Sequence, residues 1–118
     1  MRKILIILLM FTALQFTAMS QASRHQLREG NRHYNKEQYD QAEVAYRRAL
    51  ERDSNDARGQ YNLGNACYRL KKYDDAARHY EHVAADPKLN DKRRANAFHN
   101  RGNSLLKDVI DNNSEGFD

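Results

Sequence analysis

The apolar positions divide this chain into stretches of different character. From Ile4 to Phe16 almost every residue is apolar. From Leu27 onward, apolar and small residues recur every three or four positions, the spacing of helices that bury a single stripe. Leu27, Gly30 and Tyr34 mark one such helix, and Asn35-Lys36-Glu37-Gln38 interrupts it. A second follows with Tyr39, Ala42, Tyr46, Ala49 and Leu50 on one face. Ser54 and Asn55 then close this unit and are expected to cap the next helix. Tyr61, Leu63, Gly64, Cys67 and Tyr68 mark the third helix, and Tyr73, Ala76, Tyr80 and Val83 the fourth. Pro87 stands where a helix has just ended.

The pattern repeats every 34 residues. Gly30-Asn31 returns as Gly64-Asn65, Tyr39-Asp40-Gln41-Ala42 as Tyr73-Asp74-Asp75-Ala76, and Tyr46 as Tyr80. A fixed period of this length marks stacked supersecondary units, none of which buries its apolar face alone. A glycine inside a helix costs up to about 1 kcal/mol relative to alanine, so one recurring at a fixed register implies a packing benefit. Gly30 and Gly64 are expected to admit a neighbouring helix backbone, with Ala42 and Ala76 as the matching small surfaces. Tyr46 and Tyr80 are expected to fill the space between hairpins.

A third unit starts late. Gly102-Asn103 falls 38 residues after Gly64-Asn65, which places four extra residues in the Asp86–Arg94 connection. The helix after it presents Ala95, Phe98, Leu105, Leu106, Val109 and Ile110. Asp111 to Gly116 reads as a polar loop, and Phe117-Asp118 as the opening of another helix that has no room to form. That implies a polypeptide cut short of its full array.

The first twenty residues have a separate logic. Arg2 and Lys3 precede the apolar run, and Ala18-Met19-Ser20 puts small residues where a signal peptidase reads. A secretory signal over residues 1–20, cleaved after Ser20, is expected, with an uncleaved membrane anchor as the rival reading. Without Arg2 and Lys3 the net charge drops from +4 to +2, and no basic block of the nucleic-acid-binding kind remains. Cys67 is the only cysteine, so no internal disulfide forms, and its mid-helix register predicts burial. His79 and His82 lie three apart, but no third metal ligand follows by spacing, so both are expected to be solvated surface histidines. Phosphate-cradling glycine loops, an elbow serine and paired CxxC motifs are all missing from the sequence.

These repeats carry a resemblance. The 34-residue unit, with glycine, alanine and tyrosine at these positions, resembles the tetratricopeptide (TPR) family. Gln26 and Gln60 stand where that family often has tryptophan, Glu29 replaces a usual leucine, and Pro87 falls one place early. The resemblance implies an all-α, TPR-like solenoid of about two and a half helical hairpins over residues 21–118. Its units would be 23–56 and 57–94, with a partial one at 95–118.

It also implies a concave groove lined by the first helix of each unit. The peptide-binding candidates on that register are Arg28, Asn31 and Tyr34, then Arg58, Tyr61, Asn62, Asn65, Tyr68 and Arg69, then Asn100 and Asn103. Asparagine offers a donor and an acceptor to an extended peptide, and arginine reads carboxylates, so such a groove suits a segment with acidic character. The carboxylate clamp of some TPR domains is not matched: Asn31 and Asn62 fit, but its basic positions fall on Leu27, Asn96 and Asn100.

The expected protein is a non-catalytic scaffold of the bacterial envelope, periplasmic, with protein partners and neither cofactor nor nucleic acid. The Ala-x-Ser end, Arg28-Glu29-Gly30-Asn31 and Tyr61-Asn62-Leu63-Gly64-Asn65 further resemble the TPR proteins of the Bacteroides aerotolerance operon. That likeness implies membrane partners with von Willebrand A domains. A membrane-anchored assembly factor and an accessory domain of a larger enzyme are the alternatives.

Overall fold

The tyrosines and small residues of the repeat fix how the helices pair. In the computed structural model, which describes residues 1–116, five helices follow one another: α1 (Arg2–Asn35), α2 (Tyr39–Arg52), α3 (Ala57–Arg69), α4 (Tyr73–Ala84) and α5 (Asp91–Glu115). α1 pairs with α2 and α3 with α4 as hairpins, and α5 packs on α4. This is an all-α solenoid of stacked hairpins, with extents of 72 × 30 × 23 Å. The long dimension arises because α1 runs unbroken from Arg2 through Ser20 into the first hairpin. Residues 4–16 on it are exposed, so no part of the stack covers the apolar run.

Each hairpin turn is built alike. Glu37 and Lys71, 34 residues apart, both take left-handed backbone with φ 59° and 61°. The N–H of Gln38 bonds the His33 carbonyl and that of Glu37 the Tyr34 carbonyl, and Lys72 and Lys71 repeat the pair on Cys67 and Tyr68. These paired bonds satisfy the last carbonyls of α1 and α3 and turn the chain back in three residues. Between hairpins the starts are capped by side chains. Asp56, rather than the expected Ser54 or Asn55, accepts the Arg58 N–H to cap α3. Asn90 caps α5 by accepting from the Arg93 N–H.

The main core is small-residue-rich. Leu27, Ala42, Tyr46, Ala49, Leu63, Ala66, Cys67, Ala76 and Tyr80 form one buried cluster. A lesser cluster of Val83, Ala84 and Ala97 holds α5. The glycines work differently from expectation. A Cβ on Gly30 would run into the ring of Tyr46, and one on Gly64 would lie 2.8 Å from a Tyr80 ring carbon. So the glycine admits a tyrosine ring from the other helix of its own hairpin, not a bare backbone. Tyr46 and Tyr80 fill their own hairpins rather than the space between two.

The last helix also departs from expectation. α5 begins at Asp91, four residues before the expected start, because Asn90 supplies the cap. Residues 111–115 are helical, not a loop, and only Gly116 leaves the helix. The expected helix opening at Phe117-Asp118 lies outside the described residues.

Candidate functional site

On one side of the stack, the side the family resemblance makes concave, α1, α3 and the start of α5 line adjoining cavities. Asn31 sits at the centre of that side. Its side-chain oxygen accepts from the Tyr46 hydroxyl at 2.7 Å and from Asn62 Nδ2 at 3.0 Å. One repeat later the Asn65 oxygen accepts from the Tyr80 hydroxyl at 2.6 Å. Both tyrosine rings lie in the glycine slots, so the asparagine that follows each glycine ties down the ring's polar tip. Each amide therefore serves the fold with one end and faces the groove with the other. The NH₂ groups of Asn31 and Asn65, and the oxygen of Asn62, have no hydrogen-bond partner among the described residues. A double alanine replacement of Asn62 and Asn65 would thus disturb the core through Tyr80 as well as the groove.

Two cavities adjoin along this side and share Asn31 and Asn62. One, of about 370 Å³, adds Tyr34, Asn35, Tyr46 and Asn65. The other, of about 430 Å³, has Leu27, Val83 and Leu89 as apolar wall and Arg58 and Arg93 among its polar groups. Tyr61 and Asn96 also line it. Arg58 lies 3.5 Å from Asp56, whereas Arg93 makes no ion pair among the described residues. This second cavity offers an apolar floor beside two cations and the amides, an arrangement that fits an acidic side chain next to an apolar one.

The remaining candidates have other neighbours. Tyr34 stacks edge-on against Tyr39 at 5.1 Å, and Tyr68 against Tyr73 at 5.2 Å, each pinning a hairpin turn. Arg69 lies over the Tyr39 ring at 5.8 Å. Tyr61 packs edge-on against Tyr80 at 5.5 Å and accepts from Asn100 Nδ2 at 2.7 Å, which joins α5 to α3. Asn103 is exposed beside His99, and Arg28 is exposed on α1. Neither lines these two cavities. Arg93 was not foreseen because the fifth helix was expected to start later, and Leu89 because it lies in the connection before it. The Asn90 cap, followed by Asp91 in the first turn, was the available signal.

Two titratable groups are sealed between helices. Cys67 is fully buried, and its thiol donates to Glu43 Oε2 at 3.6 Å. Burial, then the Glu43 charge, push the thiol up to about 12, so it is an unreactive core side chain. Burial alone would raise Glu43, but Lys72 and Arg47, at 2.8 and 2.9 Å, outweigh that and hold its carboxyl below the usual value. His79, expected to be solvated, is instead half-buried, with Nδ1 2.9 Å from the Gln60 side-chain oxygen. Burial and the nearby Arg47 lower it to about 4.

Stacked hairpins with a polar, cavity-bearing inner face define the class: a helical-repeat binding module. A family model described as tetratricopeptide repeat matches residues 27–90, from the last part of α1 through α4 to the cap of α5. The chain belongs to the tetratricopeptide-repeat family, whose domains generally mediate protein–protein contacts rather than catalysis. No curated protein matches the chain.

Proposed function

We propose that this protein is a non-catalytic scaffold of the bacterial envelope that holds an acidic peptide segment of a partner protein on its concave face. The observation that carries this reading is the cavity where Arg58 and Arg93 flank Leu27, Val83 and Leu89 beside the Asn31–Asn62 pair. An acidic side chain would meet two guanidinium groups, and its apolar neighbour would enter the floor. The peptide backbone would pair with the outward ends of the amides. The envelope setting is supported by the basic start and apolar run of residues 1–20. Membrane partners with von Willebrand A domains, in an oxidative-stress assembly, follow from the aerotolerance-operon likeness of the sequence.

The test is capture from envelope extract by the full chain and by an Arg58→Ala/Arg93→Ala variant. Both arginines are exposed, so the fold should survive and the circular dichroism should not change. Capture should fall about tenfold or more, since each lost charge-assisted contact is worth about 1.5–3 kcal/mol. Equal capture by both proteins removes the groove from the reading.

A second reading, a membrane-anchored scaffold, is favoured by one observation. α1 crosses Ser20 without a break and is long and apolar enough to span a bilayer, a test that signal sequences near an N-terminus also pass. The intact mass of the protein recovered from the envelope separates the two. Loss of Met1–Ser20 supports the cleaved signal, and their retention supports the anchor.

A further inference from the structure

The first hairpin is fixed to the apolar segment at a definite height. From Ile4 to Ser23 twenty consecutive residues carry no charge, and Arg24 is the first charge after Lys3. A helix of that length spans about 30 Å, the thickness of a bilayer's hydrocarbon core. α1 carries this segment into the stack without a break, so its course through a membrane sets the direction of the first hairpin. The Ser23 hydroxyl donates to the Ala49 carbonyl at 3.1 Å, and both residues are buried. Because α2 runs antiparallel to α1, that bond puts Arg48 level with Arg24. It also puts the last turn of α2 beside the end of the uncharged segment.

Four arginines surround this level, Arg24 and Arg28 on α1 and Arg48 and Arg52 on α2, and all are exposed. None of them makes an ion pair among the described residues. The nearby carboxylates Glu29, Glu43 and Asp56 are already paired, with Arg32, Arg47 and Arg58. Glu51 and Asp53 are exposed here as well, so four free cations face two carboxylates. Arginine suits this place, since its apolar stem lies along the hydrocarbon boundary while its guanidinium binds phosphate with two hydrogen bonds. We propose that this end of the first hairpin is a contact surface for anionic lipid headgroups, held by Arg24, Arg28, Arg48 and Arg52. The partner is a lipid surface because the helix that carries Arg24 brings the bilayer to it. The inference rests on the membrane-anchored reading of α1. The apolar segment only tethers the stack, and the arginines fix which edge faces the lipid. The α2–α3 connection then lies against the headgroups, while the turn at Lys36, thirteen residues past Ser23, stands about 20 Å away.

The full chain, in a Cys67→Ser background, is placed in nanodiscs of phosphatidylcholine with or without phosphatidylglycerol. A fluorophore is attached through Leu9→Cys, Ser54→Cys or Lys36→Cys, one at a time, and quenched by spin labels on acyl chains or on headgroups. The Leu9→Cys reporter should be quenched from the acyl chains in both discs. The Ser54→Cys reporter should be quenched from the headgroups about twofold more strongly in the anionic discs, and Lys36→Cys in neither. Replacing all four arginines by glutamine should remove that difference without changing the circular dichroism, because each side chain is exposed. Salt on the order of 1 M should remove it without any mutation. With Leu9→Cys in the lipid, the contact is overturned and the anchor kept by any of three results. These are equal quenching of Ser54→Cys in the two discs, a difference that survives the replacements or the salt, and quenching of Lys36→Cys to the same extent. A Leu9→Cys reporter in water overturns the anchored reading and the contact together.

Discussion

The two ends of the helix stack are finished in opposite ways. α3 buries Gly59, Leu63 and Cys67, and Leu63 and Cys67 lie in the same core as Ala42, Tyr46 and Ala49 of α2. One repeat earlier α1 has His25, Glu29 and His33 at these positions, and no helix covers them. They line an open cavity of about 580 Å³ together with Asp40, Arg48, Val44 and Ala45. Glu29 pairs with Arg32 at 2.7 Å, and His33 with Gln38 at 2.8 Å. At the other end the uncovered face of α5 is apolar, with Phe98, Leu106, Val109 and Ile110 each more than half exposed. Repeat arrays stay soluble by making their terminal faces polar. By that rule the α1 face is suited to water and the α5 face is not, although both are uncovered among the described residues. Exposure alone does not tell a surface made for water from one that is not; the chemistry at the repeat register does.

The largest effects should separate the filled glycine slots from the uncovered face of α5. Tyr80→Ala and Tyr46→Ala each remove a nearly buried ring and its hydroxyl bond, for a loss of about 3–5 kcal/mol in urea unfolding. Leu106→Ala, at a side chain 59% exposed, should stay within about 0.5 kcal/mol. Comparable losses at the two places would mean that α5 is already covered.

Next in size are the glycines themselves, where the sign should change. Gly30→Ala and Gly64→Ala press a methyl group into a tyrosine ring, and overpacking of this kind costs about 1–3 kcal/mol. Gly102→Ala meets open space in mid-helix and should stabilise by about 0.5–1 kcal/mol through backbone entropy and helix propensity. Thermal melts of the three variants check this directly.

A pH effect distinguishes the two hairpins. His79 in the second corresponds to Ala45 in the first, so only the second holds an imidazole against α3. Burial first, then Arg47, His82 and Arg78, disfavour its proton, while Asp75 favours it. The folded value of about 4 lies below the ordinary 6.5, so the unfolded chain binds the proton more tightly. Stability from this group is therefore complete above about pH 6.5 and declines as pH falls toward 4. Partial exposure screens the effect, and the loss by pH 4.5 should be about 1 kcal/mol. His79→Gln should flatten the slope between pH 6.5 and 5, and an unchanged slope would place the proton elsewhere.

Much of this was legible in the sequence because repetition doubles every signal. Gly30 returned as Gly64 and Tyr46 as Tyr80 at one spacing, so helix identity, pairing and the burial of Cys67 followed. What the glycines admit was not legible. A ring and a backbone both demand a missing side chain, and only coordinates show that Tyr46 and Tyr80 fill their own hairpins. The split duty of Asn31, Asn62 and Asn65 was hidden for a related reason. An asparagine on a polar face looks free until the hydroxyl it accepts from is placed beside it. The error at the end of α5 came from composition: Asp111-Asn112-Asn113-Ser114 has poor helix propensity, yet the helix runs through it to Glu115.

The smallest effect on stability gives the most direct reading of the comparison. Cys67 and Leu105 occupy one register position on α3 and α5, the first fully buried and the second 41% exposed. With its thiol pushed up to about 12, Cys67 is thiolate to only about one part in ten thousand at pH 8. A maleimide should leave it unlabelled in the folded protein and label it fully in urea. In a Cys67→Ser background, Leu105→Cys should react at the rate of an ordinary exposed thiol, with little change in melting temperature. Protection of Leu105→Cys would show that the α5 face is occupied already, and the contrast between the two ends of the stack would then be lost.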